Sequence, residues 1–129
     1  MKIDHVGYAV RDIEKAKKAL GVLGFSFQET VEDKDRNISI AFGKTDGYCI
    51  ELVAPIKGGE SPVDVLLAKV GPSPYHFCYK SDDIESDIEK LKAARFKVTI
   101  PLAPAVAFDN KRVVFLYSLS AGLIELVES

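Results

Sequence analysis

The sequence predicts an α+β fold made of two βαβββ modules, and three observations carry that prediction. One segment occurs twice: Asp4-His5-Val6-Gly7-Tyr8, Asp12-Ile13, Leu20 and Gly24-Phe25 return as Tyr75-His76-Phe77-Cys78-Tyr79, Asp83-Ile84, Leu91 and Arg95-Phe96, every pair 71 positions apart. Each copy then ends on the same four residues, Ile50-Glu51-Leu52-Val53 and Ile124-Glu125-Leu126-Val127, now 74 positions apart, which implies a small insertion in the second copy. Such self-similarity means that one supersecondary unit is used twice. Within each copy the apolar residues pass from strand-like runs to a spacing of three and four and back again. Turn-forming residues separate these runs, among them Asp46-Gly47, a strong hairpin signal.

Taken in order, Ile3 to Val10 mixes β-branched, aromatic and small residues and ends on Arg11-Asp12, a strand handing over to a helix with Asp12 as N-cap. From Ile13 to Leu23 the apolar positions Ile13, Ala16, Ala19, Leu20 and Leu23 form one stripe, with Glu14, Lys15, Lys17 and Lys18 on the other face. Gly24 stops the helix. Three strands follow, around Ser26 to Val31, Asn37 to Phe42 and Tyr48 to Ala54, the last two joined through Lys44-Thr45-Asp46-Gly47. The second copy repeats the order. A strand from Tyr75 to Lys80 leads to a helix from Ile84 to Ala94 striped by Ile84, Ile88 and Leu91, then to strands near Phe96 to Ile100, Arg112 to Ser118 and Leu123 to Glu128. Between the copies, a Gly- and Pro-rich stretch holds one short apolar run, Val63 to Val70, read as a helix within a linker. The modules are therefore residues 1–55 and 74–129, joined by a linker over 56–73, in a single domain spanning 1–129. Pro101 to Asn110 has no period and is expected to form a mobile flap over a site.

With 47% hydrophobic and 28% charged residues the chain is long enough to bury one good core. A net charge of −2, with Lys and Arg scattered, gives no basic footprint, so no nucleic-acid partner is expected. No run approaches the roughly 20 apolar residues of a membrane span, and Met1-Lys2-Ile3-Asp4-His5 carries no apolar signal region. The expected location is the cytoplasm, with no membrane partner. Cys49 and Cys78 sit in apolar strands without the close spacing of a zinc or redox motif and are read as reduced thiols. The charged helix faces, and Lys57, Lys69 and Arg112, are read as ordinary surface.

The only two histidines, His5 and His76, occupy the same position in the two copies. Residues two apart share one face of a strand. His5 therefore shares a face with Gly7, His76 with Cys78, Glu51 with Cys49 and Val53, and Glu125 with Leu123 and Val127. An unpartnered carboxylate on such an apolar face is costly. A lone histidine on an apolar strand is ordinarily a hydrogen-bonded core residue, but two in repeat register with two matching glutamates point to a metal. If the modules are pseudo-symmetric halves of one curved sheet, His5, Glu51, His76 and Glu125 converge as a mixed nitrogen and oxygen donor set for one divalent ion.

These residues resemble those of the vicinal oxygen chelate superfamily, which includes glyoxalase I, methylmalonyl-CoA epimerase, extradiol dioxygenases and the bleomycin and fosfomycin resistance proteins. The resemblance covers essentially the whole chain. It is nearest to the epimerase branch in Asp4-His5-Val6-Gly7-Tyr8-Ala9-Val10, in Glu51-Leu52-Val53-Ala54-Pro55 followed by Ser61-Pro62, in the His76 strand with Asp82-Asp83-Ile84, and in Val113-Val114-Phe115-Leu116 before Gly122-Leu123-Ile124-Glu125-Leu126.

The resemblance implies one cupped mixed β-sheet with helices on its outer face, a divalent metal held by His5, Glu51, His76 and Glu125, and open positions for two substrate oxygens. That donor set accepts zinc, nickel, cobalt, manganese or magnesium. The implied activity is a metal-dependent isomerase or lyase that moves a proton at the carbon beside a carbonyl, with Glu125 as acid/base, Glu51 serving the opposite face, and an acyl-CoA thioester as substrate. Glyoxalase I-type lactoylglutathione lyase chemistry on a thiol hemithioacetal is the close alternative. Two further classes stand beside these. An extradiol-type dioxygenase needs only His5, His76 and Glu125, and Glu51 argues against it; a non-catalytic drug- or metabolite-binding protein needs no metal. Short two-module chains of this group also imply a homodimer. Where the epimerases often carry two adjacent histidines this chain has Tyr75-His76, and where they carry Gly-Ala-His-Gly it has Ala105 to Asn110. Where some carry a second carboxylate it has Ser39, which leaves two-base epimerisation to Glu51 and Glu125.

Overall fold

The computed structural model describes residues 1–129. The elements are β1 (Lys2–Ala9), α1 (Ile13–Gly21), β2 (Ser26–Phe27), β3 (Val31–Asp33), β4 (Ile38–Thr45), β5 (Tyr48–Pro55), α2 (Asp64–Lys69), β6 (Ser73–Ser81), α3 (Ile84–Ala93), β7 (Lys97–Pro104), a 3-10 turn (Val106–Phe108), β8 (Arg112–Ser118) and β9 (Gly122–Glu128). This is a mixed α+β fold in which strand, helix and antiparallel strands occur twice. The chain divides into two compact units, His5–Tyr75 in one, and Met1–Asp4 with His76–Ser129 in the other.

In the His5–Tyr75 unit, β5 pairs in parallel with β1, from Val6↔Ile50 to Ala9↔Val53, and antiparallel with β4. A parallel pair needs a long crossover, and α1 lies within it. Asp12 caps α1 by accepting the Lys15 amide at 2.9 Å, as its position before the apolar stripe predicts. Ile13, Ala16 and Leu20 pack on Val6, Tyr8, Ile50, Leu52 and Ala54, so one face of β1 and β5 is sealed by the helix. The β4–β5 hairpin closes through Asp46 (φ 47°) and Gly47 (φ 81°) between paired Thr45 and Tyr48, the two-residue turn that Asp-Gly predicts.

Two expectations for this unit need correction. The stripe extends neither to Ala19 nor to Leu23: Ala19 is exposed and Leu23 is 69% exposed. Amides of Leu23 and Gly24 close three-residue turns onto Leu20 and Gly21, which ends the helix before position 23. The strand predicted over Ser26 to Val31 is instead two short pieces, β2 and β3, each antiparallel to β4.

The other unit repeats the plan. β6 pairs in parallel with β9, from Phe77↔Ile124 to Ser81↔Glu128, β9 is antiparallel to β8, and β8 to β7. Asp83 caps α3 through the Ser86 amide at 3.2 Å. Ile84, Ile88 and Leu91 pack on Tyr79, Val114, Leu116, Ile124 and Leu126. Arg95, the counterpart of Gly24, keeps a left-handed backbone (φ 70°) where Gly24 has φ 102°, so the helix stop survives the loss of glycine.

The aperiodic flap expected over Pro101 to Asn110 is not what forms. β7 continues through Pro101 to Pro104, and Val106–Phe108 is a 3-10 turn whose Ala105 and Phe108 pack on Cys78, Val113 and Val127. Proline is tolerated because β7 is the outermost strand of its unit, and its pairing with β8 shifts register between Val98 and Ile100 and again before Ala103. No helix is long and apolar enough to cross a membrane.

Candidate metal centre

The pairing registers decide which side chains share a face. On β5, Ile50, Leu52 and Ala54 meet α1, so Cys49, Glu51 and Val53 occupy the opposite face. On β1, His5, Gly7 and Ala9 alternate with the helix-facing Val6 and Tyr8 in the same way. Glu51 is paired with Phe42 on β4, which brings Phe42 to that face too. In the other unit Ile124 and Leu126 meet α3, leaving Glu125 and Val127 on the opposite face with His76 and Cys78 of β6 and with Phe115, the partner of Glu125 on β8.

All four predicted ligands are buried: His5 is 1% exposed, Glu51 4%, His76 4% and Glu125 3%. Each unit brings its histidine to its glutamate. Nε2 of His5 lies 3.4 Å from Oε1 of Glu51, and Nε2 of His76 lies 3.1 Å from Oε1 of Glu125. Two ligands of one divalent ion, at bond lengths of about 2.1 Å and angles between octahedral and tetrahedral, stand about 3.0 to 3.4 Å apart. Both separations have that spacing. Each unit thus holds one buried imidazole beside one buried carboxylate, nitrogen and oxygen donors of the kind that bind a metal ion.

Sequence reasoning missed two aromatic residues. Phe42 packs edge-on to His5, with ring centroids 5.6 Å apart and planes at 78°. Phe115 does the same to His76, at 5.2 Å and 81°. The signal was present: Ile40-Ala41-Phe42 and Val113-Val114-Phe115 are equivalent segments, but their offset of 73 falls between the 71 and 74 of the recognised matches.

Other sequence candidates lie elsewhere. Ser39 pairs with Ala54 and shares the helix-covered face with Ala41, so position 39 is turned away from the face of Glu51. Cys49 and Cys78 form no disulfide. Lys57 and Lys69 are exposed. Arg112 is committed to two carboxylates: Nη2 lies 2.6 Å from Glu128 and 2.7 Å from Glu85, and its amide donates to Glu128 at 2.8 Å. Hydrogen bonds from Arg112 hold the carboxyls of Glu128 and Glu85 below the usual carboxylate range and raise the guanidinium above its own. Hydrogen bonds from the Ser61 hydroxyl and amide likewise lower Asp64 at the start of α2.

A model of the Glyoxalase/Bleomycin resistance protein/Dioxygenase superfamily matches residues 4–115. Among solved structures, methylmalonyl-CoA epimerase from Mycobacterium tuberculosis is similar at 26% identity and TM-score 0.84, over 98% of this chain and 87% of its own. A hypothetical protein from Bacillus halodurans C-125 is similar at 26% identity and TM-score 0.85, over 99% and 94%. Streptomyces coelicolor methylmalonyl-CoA epimerase, in complex with 2-nitronate-propionyl-CoA, shares the fold at 24% identity and TM-score 0.81, over 100% and 97%. No curated protein matches the chain by sequence.

Proposed function

The chain belongs to the Glyoxalase/Bleomycin resistance protein/Dioxygenase superfamily, and from that premise we propose that it is a divalent-metal-dependent isomerase of the methylmalonyl-CoA epimerase type, acting on an acyl-CoA thioester. The observation that carries the reading is the duplicated pair of buried imidazole and carboxylate, 3.4 Å apart in one unit and 3.1 Å in the other. Likeness to the Mycobacterium tuberculosis epimerase over nearly the whole chain supports the reaction class.

In this reading His5, Glu51, His76 and Glu125 hold one divalent cation. When bound, the cation supplies positive charge that draws electron density onto a carbonyl oxygen. Glu125 takes the proton from the carbon beside the thioester carbonyl, and the electron pair of that C–H bond moves into the carbonyl to give an enolate. A proton returned to the opposite face from Glu51 inverts the centre. His76, with Nε2 3.1 Å from Glu125 Oε1, would hold the same ion and so keep in place the carboxylate that moves the proton. The apolar neighbours Cys78, Val113 and Val127 keep water from the same face. The protein works in the cytoplasm, as a homodimer.

Glyoxalase I-type chemistry on a thiol hemithioacetal uses the same donors and is the competing reaction. One experiment separates the two. Metal-loaded protein in deuterium oxide is given methylmalonyl-CoA or a glutathione hemithioacetal; solvent deuterium at the carbon beside the thioester supports the epimerase, and S-lactoylglutathione supports the lyase. No turnover of either substrate with zinc, nickel, cobalt, manganese or magnesium overturns the enzymatic reading and leaves a binding protein. Unchanged activity without oxygen excludes a dioxygenase.

A further inference from the structure

The duplicated His–Glu pair has a duplicated neighbour. β4 is separated from β1 by β5, and β8 from β6 by β9, so each phenylalanine starts two strands away from the histidine it touches. Neighbouring strands are about 4.8 Å apart, which puts the two backbones of each aromatic pair roughly 9.6 Å apart. Ring centroids at 5.6 and 5.2 Å therefore mean that phenylalanine and histidine lean toward each other above the strand carrying the glutamate. That glutamate is the residue directly paired with the phenylalanine, Phe42↔Glu51 and Phe115↔Glu125. Both contacts are near-perpendicular, at 78° and 81°, the arrangement in which a ring edge meets an aromatic face.

An imidazole attached by two single bonds can rotate about both, and only some orientations aim Nε2 at the carboxylate. From the geometry we infer that Phe42 and Phe115 are positioning residues for the metal: each locks the ring of its histidine so that Nε2 stays beside the glutamate oxygen that shares the ion. The inference rests on the proposed metal reading and adds two residues to it. The same contact at the same register in both copies is what a common task requires, since the sequences around Phe42 and Phe115 otherwise differ.

Groups that orient ligating side chains are typically worth a 10- to 100-fold change in metal affinity. Zinc affinity is measured by competition with a chromophoric chelator, and geometry by the visible absorption of the cobalt-substituted protein, for wild type, Phe42→Leu, Phe115→Leu and the control Ile40→Val. Each leucine variant is expected to bind zinc 10- to 100-fold more weakly and to alter the cobalt bands, while Ile40→Val leaves both unchanged. Phe42→Tyr and Phe115→Tyr, which keep the ring, should restore wild-type affinity. Where leucine does not fold, methionine at the same position fills the space without a ring and serves instead. Wild-type affinity and cobalt bands in folded, ring-free variants overturn the positioning role while the metal reading stands. A wild-type protein that binds neither ion overturns the metal reading, and this inference with it.

Discussion

Glu125 differs from a surface glutamate in its surroundings: it is 3% exposed, its Oε1 lies 3.1 Å from one imidazole nitrogen, and Val127 follows it on the same face. Replacing it by glutamine keeps the shape and removes the base. Glu125→Gln is expected to lower deuterium exchange at least 10²-fold, the usual worth of a positioned acid or base, with native circular dichroism retained. Glu51→Gln has a different signature at saturating metal. If Glu51 serves only the return of the proton, exchange persists and inversion is lost, which chiral analysis of recovered thioester reads directly. A third outcome concerns backbone rather than chemistry. Arg95 holds φ 70° at the position where the first copy has Gly24, and a left-handed backbone costs a residue with a side chain roughly 1–2 kcal/mol. Arg95→Gly should therefore raise the unfolding free energy by about 1 kcal/mol in urea titrations.

Elements were legible in the sequence where their causes are local. Asp12 and Asp83 cap the two helices through amides three residues on, and substituting either by alanine should cost about 1 kcal/mol in equilibrium unfolding. Asp46-Gly47 fixed the hairpin because both positions need positive φ. The placement of His5, Glu51, His76 and Glu125 on apolar strand faces was readable because alternation and repetition act together. What was not readable depends on partners distant in sequence. Leu23 fits the helical period yet lies beyond the last turn, and β2 and β3 separate only because both must pair with the continuous strand β4. Pro101 and Pro104 looked like breakers, but an edge strand has amides that need no ladder partner, so β7 runs through them. Phe42 and Phe115 escaped notice because the insertion in the second copy falls between the aromatic positions and the terminal Ile-Glu-Leu-Val as well as before them, spoiling a constant offset.

For the molecule as a whole, pH and metal act through different groups. Arg112 depresses the carboxyls of Glu85 and Glu128, so their contribution to stability is present above the ordinary carboxylate range and is lost as pH falls through their lowered values. Arg112→Gln should be less stable than wild type near neutrality, with the gap closing as the solution is acidified below the carboxylate range; a constant gap in urea titrations across that series would remove the ion cluster from the explanation. Metal should add to stability at fixed pH. A free ion at a hundred times its dissociation constant raises the unfolding free energy by about 2.7 kcal/mol, and chelation should remove that increment from the thermal transition. The two prolines of β7 also bear on how copies behave in a crowded solution. An outermost strand is a template on which another chain can extend a ladder, and Pro101 and Pro104 supply no donor to such growth. Replacing both with valine would leave a smooth, sticky border, and the concentrated protein should then scatter light where the natural chain stays clear.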